Sequence, residues 1–301
     1  MLHLAPVKYA NCFESEGGPL HSIEESKIEM NGERLTVANA RLADNHRSGN
    51  RNLRIFAPID GTGLDRNPAT ARYKAISEAV ERWAHHDISP KPEGKRYGFD
   101  QDPTSNGMSA FPGLLPRQAR QFALNEAIER FSIIAWWEGL TSVEEISSLG
   151  DPIRTYLVHQ PFKNHKVVIT RRQSAKAYTV FGYGCSKHLA KAREGAIIEM
   201  ERSNILLDAF FTRNPGFEIG DLSTISDYME RRLVYFAIPE GVAAFEDRIA
   251  NPPQEDLLEK PKVRFDGEID GPWSSYATVW RIVFEMPTTK YLDPNCLFFY
   301  W

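Results

Sequence analysis

The chain has 301 residues, 42% of them hydrophobic, and 36 Lys and Arg stand against 40 Asp and Glu for a formal net charge of −4. That length supports one large domain or two modest ones; no apolar window of about 18 residues exists to span a membrane, and a slight acidic excess without a dense basic tract argues against nucleic-acid binding. Cys12, Cys185 and Cys296 are scattered, with no CxxC pair, and the opening "MLHLAPVKYANCFESEGG" lacks a basic-then-apolar secretory plan, so a cytoplasmic protein with reduced thiols is expected.

No Ser/Gly-rich linker or low-complexity block divides the chain, so a single compact unit over residues 1–301 is expected. Up to residue 60 the pattern is strand-like and turn-rich, with strands predicted at "ERLTVANARL" (33–42) and "NLRIFAPI" (52–59). "GTGLDRNP" then reads as a turn, and a helix follows from Ala69 to His86. A second loop, "PTSNGMSAFPGLLP", precedes a helix from Arg117 to Trp137. Strands are predicted at "TYLVHQ", "HKVVITRR" and "AYTVFGYG", and a third helix from Leu189 to Phe211. The last ninety or so residues add strand candidates at "RLVYFAI" and "YATVWRIVFEM". Three glycine-bearing loops that each feed a helix, with strands between them, give a mixed α/β class.

Within the first helix "SEAVERW" (77–83) returns in the second as "NEAIERF" (125–131). Tyr73, Ile76, Val80 and Trp83 form an apolar stripe at helical spacing, as do Leu124, Ile128, Phe131 and Ala135. Glu78, Glu81 and Arg82, like Glu126, Glu129 and Arg130, fall opposite those stripes, so the two helices repeat in phase. Each Glu-x-x-Glu-Arg taken alone is what a solvated amphipathic face carries. Taken together, carboxylates at i and i+3 offer oxygen ligands to a hard cation such as Mg²⁺, and the arginine offers a fork that matches phosphate. A helix start behind a glycine-rich turn also presents backbone N–H groups to anions.

The residues "GTGLDRNPATARYKAISEAVERW", "SNGMSAF…ARQFALNEAIERF" and "GYGCSKHLAKAREGAIIEMERS" resemble, in order and spacing over a core of about residues 55–210, the motifs of the YcaO family. The resemblance implies a YcaO-type domain with internally repeated strand–Gly-turn–helix units. It also implies ATP- and Mg²⁺-dependent phosphorylation of a peptide backbone amide. Loss of phosphate after nucleophilic attack leaves an azoline, a thioamide or an amidine. By the same resemblance, Glu78, Glu81, Glu126 and Glu129 hold the metal. Gly61, Gly63, Arg82, Ser105, Asn106, Arg130 and Glu199 meet the nucleotide, and Arg130 and Glu129 take part in catalysis.

Thr62 stands where the family often has Lys, Lys74 where it often has Ser, Gln118 where it often has Glu, and Arg202 where Gln is common. Glu201-Arg202 also echoes the other repeats, so the register of the third helix stays open between Glu199 and Glu201. The carboxy-terminal "TTKYLDPNCLFFYW" lacks the Pro-x-Pro-x-Pro tail of many azoline-forming members, which tilts the expectation towards thioamide or amidine. A precursor peptide is the implied substrate, with a leader-binding partner of the TfuA-like or E1-like kind, and a homodimer is possible. The alternative is a catalytically degenerate YcaO-like subunit that binds a peptide or a partner enzyme. Outside the motifs, His85-His86-Asp87 reads as a helix-end feature rather than a metal triplet. Cys185 reads as a buried structural thiol, and "LFFYW" as core or interface aromatics.

Overall fold

The computed structural model describes residues 3–30, 32–47, 55, 59–148, 150–254 and 258–301. In chain order a short helix α1 (Ala5–Lys8) precedes strands β1 (Leu20–Met30), β2 (Glu33–Leu42) and β3 (Gly61–Asp65). Helix α2 (Pro68–Ile88), strand β4 (Met108–Phe111) and helix α3 (Arg117–Trp137) follow. Next come β5 (Val143–Glu145), β6 (Arg154–Val158), β7 (Lys166–Gln173), β8 (Thr179–Ser186) and helix α4 (Leu189–Arg213). Helices α5 (Tyr228–Ala237) and α6 (Pro239–Ala250) and strands β9 (Val263–Glu268) and β10 (Thr278–Phe284) complete the set. The class is mixed α/β, as the sequence predicts.

The chain groups into two compact units. Unit 1 comprises Met1–Asn50, Pro58–Ala127 and Val263–Phe284; unit 2 comprises Arg51–Ala57, Ile128–Lys262 and Glu285–Trp301. Unit 1 holds two antiparallel three-stranded sheets, ordered β1-β2-β3 and β4-β10-β9. Helix α2 packs on β3 and β2 and also meets β4 and β10. Its start is fixed by Asn67, whose side chain accepts from the Ala69 and Thr70 N–H groups, and by Pro68 in the first turn. Its buried face is Ala71, Ala75, Ile76, Ala79, Val80 and Trp83. Unit 2 is built on the antiparallel sheet β5-β6-β7-β8, with α4 packed on β8 and β7.

Three predictions need correction. The "GTGLDRNP" turn is mostly strand: β3 pairs with β2 from Thr36↔Asp65 to Ala40↔Gly61. Its glycines serve helix packing, because a Cβ on Gly63 would lie 1.8 Å from the Ala71 carbonyl oxygen of α2, and one on Gly61 2.1 Å from that of Ala75. The loop before α3 likewise contains β4, which pairs with β10. "RLVYFAI" belongs to helix α5, not to a strand. Asp227 caps that helix by accepting from the Met229 and Glu230 N–H groups, and Arg232, Leu233, Val234, Phe236 and Ala237 are all buried. A short apolar run buried on several sides carries no period that separates helix from strand. The strand expected over 52–59 falls outside the described residues, apart from Ile55 and Ile59.

Candidate functional site

In unit 1 the first carboxylate pair sits on α2 next to glycine-bearing β3. The Thr62 N–H donates to Glu78 Oε2 at 2.9 Å, so a strand backbone group aims that carboxylate. Arg82 lies 3.9 Å from Glu78 Oε1, an electrostatic pairing rather than a hydrogen bond. Half-buried Glu81 holds its proton above the ordinary carboxylate range, first because its carboxyl group is desolvated and then because the charges of Glu126 and Glu78 oppose ionisation. Arg82 and the Ala110 N–H work against that rise. Glu81 thus feels the charges of both Glu126 and Glu78, which a cation would relieve. Lys74 is tied to the Leu64 carbonyl and to Asp65, a brace between α2 and β3.

The predicted loop residue Asn106 is buried, and its amide donates to Asp102 Oδ2 at 3.0 Å. Asp102 also accepts from the Thr104 N–H and hydroxyl. Behind the loop, fully buried Arg281 donates to the Thr104 and Asp102 carbonyls and stacks 3.7 Å from the Phe99 ring centroid. Gly107 has φ +64°, and a Cβ there would lie 2.1 Å from the Ile282 carbonyl oxygen. Only glycine suits that position. The Ser105-Asn106-Gly107 stretch is therefore a braced loop.

In unit 2, Arg130 Nη2 stands 4.0 Å from Glu199 Oε1, and Nε 3.8 Å from Glu129 Oε1. Its guanidinium carbon lies 5.7 Å from the Tyr183 ring centroid and 5.2 Å from that of Tyr300. Glu129, expected on an open polar face, is buried, because the half of α3 that follows it (Phe131–Trp136) is buried on all sides. Burial, and then the Glu199 charge, push the Tyr183 phenol well above the usual tyrosine value. Cys185 is raised by burial and then by the Glu129 charge, which disarms it as a nucleophile and agrees with a structural thiol.

The structure fixes the register of the third helix. Gly182 and Gly184 of β8 approach the carbonyl oxygens of Ala196 and Ala192 in α4, as Gly61 and Gly63 approach those of Ala75 and Ala71 in α2. The pairs run in identical spacing, so Glu199 is the counterpart of Glu78, and Arg202 of Glu81. Buried Ala119, Ala123 and Ala127 put Glu126, Glu129 and Arg130 in the same places on α3. Glu201 belongs elsewhere: it is buried in an ion pair with Arg172 at 2.9 Å.

Among the described residues no three His, Cys, Asp or Glu side chains stand together as a ready metal-ligand set. His85 instead meets the Pro103 carbonyl oxygen, and Asp87 pairs with Lys91. The donors that are present still suit Mg²⁺, which takes carboxylate oxygens and keeps several waters. The shared charge around Glu81 marks where a cation would be favoured. Arg82 Nε and the Tyr183 hydroxyl are buried without a hydrogen-bond partner among the described residues, as groups awaiting a polar ligand would be. Tyr183 and Tyr300 beside Arg130, and Asp102 and Arg281 behind the Asn106 loop, carry no local sequence signal for these contacts, apart from the Gly-x-Gly frame around Tyr183.

No protein-family model matches the sequence, and no curated protein does. Among solved structures the chain is similar to one described as YcaO from Methanopyrus kandleri bound with AMPPCP and Mg²⁺. The TM-score is 0.55 at 15% identity, over 88% of this chain and 85% of that one. At that identity the likeness concerns the fold, and the chain has a YcaO-like fold. No helix among the described residues is long and apolar enough to cross a membrane.

Proposed function

We propose that the protein is an ATP- and Mg²⁺-dependent enzyme that activates a backbone amide of a peptide or protein substrate. The observation that carries this reading is the recurrence of one acidic position, Glu78 and Glu199, behind the same glycine-strand contact on α2 and α4, matched in alanine spacing by Glu126 on α3, with Arg130 beside Glu199. The fold supports it, since the similar solved structure was obtained with a nucleotide analogue and Mg²⁺.

In this reading Glu78, Glu81, Glu126 and Glu129 hold Mg²⁺, and Arg130 takes a phosphate oxygen, with Arg82 and Glu199 beside the nucleotide and Asn106 presented by its braced loop. Bound Mg²⁺ would neutralise charge on the phosphates during transfer. Glu78 is aimed by the Thr62 N–H and Glu81 by the Ala110 N–H, so strand backbone sets both carboxylates before any ligand arrives. A bound cation would favour the ionised form of Glu81 against the desolvation and the neighbouring charges that raise its pKa. Arg130, a planar fork held between two rings, meets phosphate without reordering. The chemistry that follows transfers the terminal phosphoryl group of ATP to the amide oxygen with departure of ADP. A nucleophile then adds to the amide carbon and phosphate leaves. A substrate hydroxyl or thiol gives an azoline, sulfide a thioamide, and an amine an amidine. A leader-binding partner and self-association complete the proposal.

Calorimetric titration of ATP with and without Mg²⁺ tests the reading. Wild type binds in the presence of Mg²⁺, and Glu126→Gln loses most of that binding. A wild type that binds no ATP would instead favour the non-catalytic reading, a subunit that engages a peptide or partner. That second reading draws on the absence of a preassembled ligand set among the described residues. Mass spectrometry of a modified peptide then separates the products: an azoline loses about 18 Da and a thioamide gains about 16 Da, both through the phosphorylated amide.

A further inference from the structure

The segment from Tyr291 to Tyr300 is largely without regular secondary structure, yet four of its aromatic side chains are among the most buried in unit 2: Tyr291, Phe298, Phe299 and Tyr300 are each 2% exposed or less. Short-range backbone bonds close its turns, with the Cys296, Phe298 and Tyr300 N–H groups donating to the Asp293, Cys296 and Phe298 carbonyls, but they do not tie one turn to the next. Here one side chain does so. Arg232, fully buried on α5, donates to the carbonyl oxygens of Tyr291 (2.7 Å), Asp293 (2.8 Å), Cys296 (2.9 Å) and Tyr300 (3.3 Å). It also lies over the Tyr228 ring at 4.9 Å. A cation buried in this way is costly, and what it secures is one backbone path.

That path ends with the Tyr300 ring 5.2 Å from the guanidinium carbon of Arg130, while Tyr183 of β8 approaches the same guanidinium at 5.7 Å. Both rings are themselves fixed. Tyr300 packs edge-on against Tyr291, and Tyr183 against Phe299. An arginine side chain has many rotamers to lose on binding, and two fixed aromatic neighbours remove much of that freedom before phosphate binds.

We propose that Tyr300 and Tyr183 are positioning residues that hold Arg130 in its phosphate-receiving pose, and that Arg232 acts behind them by fastening the 291–300 segment. The inference rests on Arg130 being the phosphate arginine of the proposed function. It assigns to the carboxy-terminal aromatics a task beyond filling the core.

The test compares Tyr300→Phe, which keeps the ring, with Tyr300→Leu, which removes it, in the full chain. Two quantities are read: the NMR signal of the Arg130 Nε–H group, assigned by its loss in Arg130→Lys, and the affinity for ATP with Mg²⁺. In Tyr300→Phe both stay near wild type. In Tyr300→Leu the Arg130 signal moves downfield as ring shielding is lost, and ATP binds about tenfold more weakly, as a desolvated cation–π contact implies. If Tyr300→Leu folds poorly, Tyr300→Met fills similar space without a ring and gives the same two readings. Wild type that binds ATP, alongside a ring-less variant with unchanged signal and affinity, overturns the clamp alone. Wild type that binds no ATP overturns the nucleotide reading and, with it, the purpose assigned to the clamp.

Discussion

Glu81 shows how one side chain can report a site before any ligand is bound. Its folded-state pKa lies above that of an unfolded glutamate, through burial and then the Glu126 and Glu78 charges, so between those two values the fold binds more protons than the unfolded chain. Stability from this group is fully present below the ordinary carboxylate pKa and is lost as pH rises through the raised one. Glu81→Gln keeps the neutral shape, so in chelator the slope of stability against pH should flatten and the neutral-pH midpoint should rise. Urea denaturation at a series of pH values reads this; an unchanged slope would mean that Glu81 is not the group that holds the proton. Arg130 makes the second test at this scale. Arg130→Lys keeps the charge but loses the planar fork, and ATP affinity measured by calorimetry should fall by roughly tenfold or more. Wild-type affinity in that variant would show that a point charge suffices.

At the scale of elements, close approach of glycine strands to alanine helices governs the fold. A Cβ at Gly63 would stand 1.8 Å from the Ala71 carbonyl oxygen, so Gly63→Ala must displace backbone and should cost about 3 kcal/mol or more. Gly195, inside α4 with open space around its Cα, is the control: Gly195→Ala should stabilise by about 0.5–1 kcal/mol. Thermal unfolding of both variants checks the pair, and comparable loss in both would refute the packing argument. This architecture was half legible in the sequence. The long helices α2, α3 and α4 are legible to within two residues at each end because their apolar period is local. The glycines were legible but misassigned to a turn, since a strand that needs glycine for a helix on its face looks, letter by letter, like a turn. The buried side of Glu129 was hidden for a related reason. The run from Phe131 to Trp136 buries that half of α3 all round, and a two-sided pattern cannot show it.

At the scale of the whole chain the two units are each assembled from three separate segments. Composition could not reveal this, because the chain passes from unit 1 to unit 2 within helix α3, after Ala127, with no Ser/Gly-rich stretch at that point. Long-range partners were equally invisible: Arg232 and the carbonyls of residues 291–300 are some sixty residues apart in sequence. Arg232→Leu would leave the buried Tyr291 and Tyr300 carbonyls without this donor and should cost unit 2 about 2–3 kcal/mol. A denaturation midpoint unchanged from wild type would remove the fastening role. The central claim, that the recurring glutamates and Arg130 receive Mg²⁺ and the phosphates of ATP, is tested most directly by a crystal structure of the protein with a non-hydrolysable ATP analogue and Mg²⁺. The account predicts metal bound to oxygens of Glu78, Glu81, Glu126 and Glu129 at about 2.0–2.1 Å, and Arg130 donating to a phosphate oxygen at about 2.7–2.9 Å. Nucleotide bound away from these residues, or none bound at saturating analogue and Mg²⁺, would contradict it.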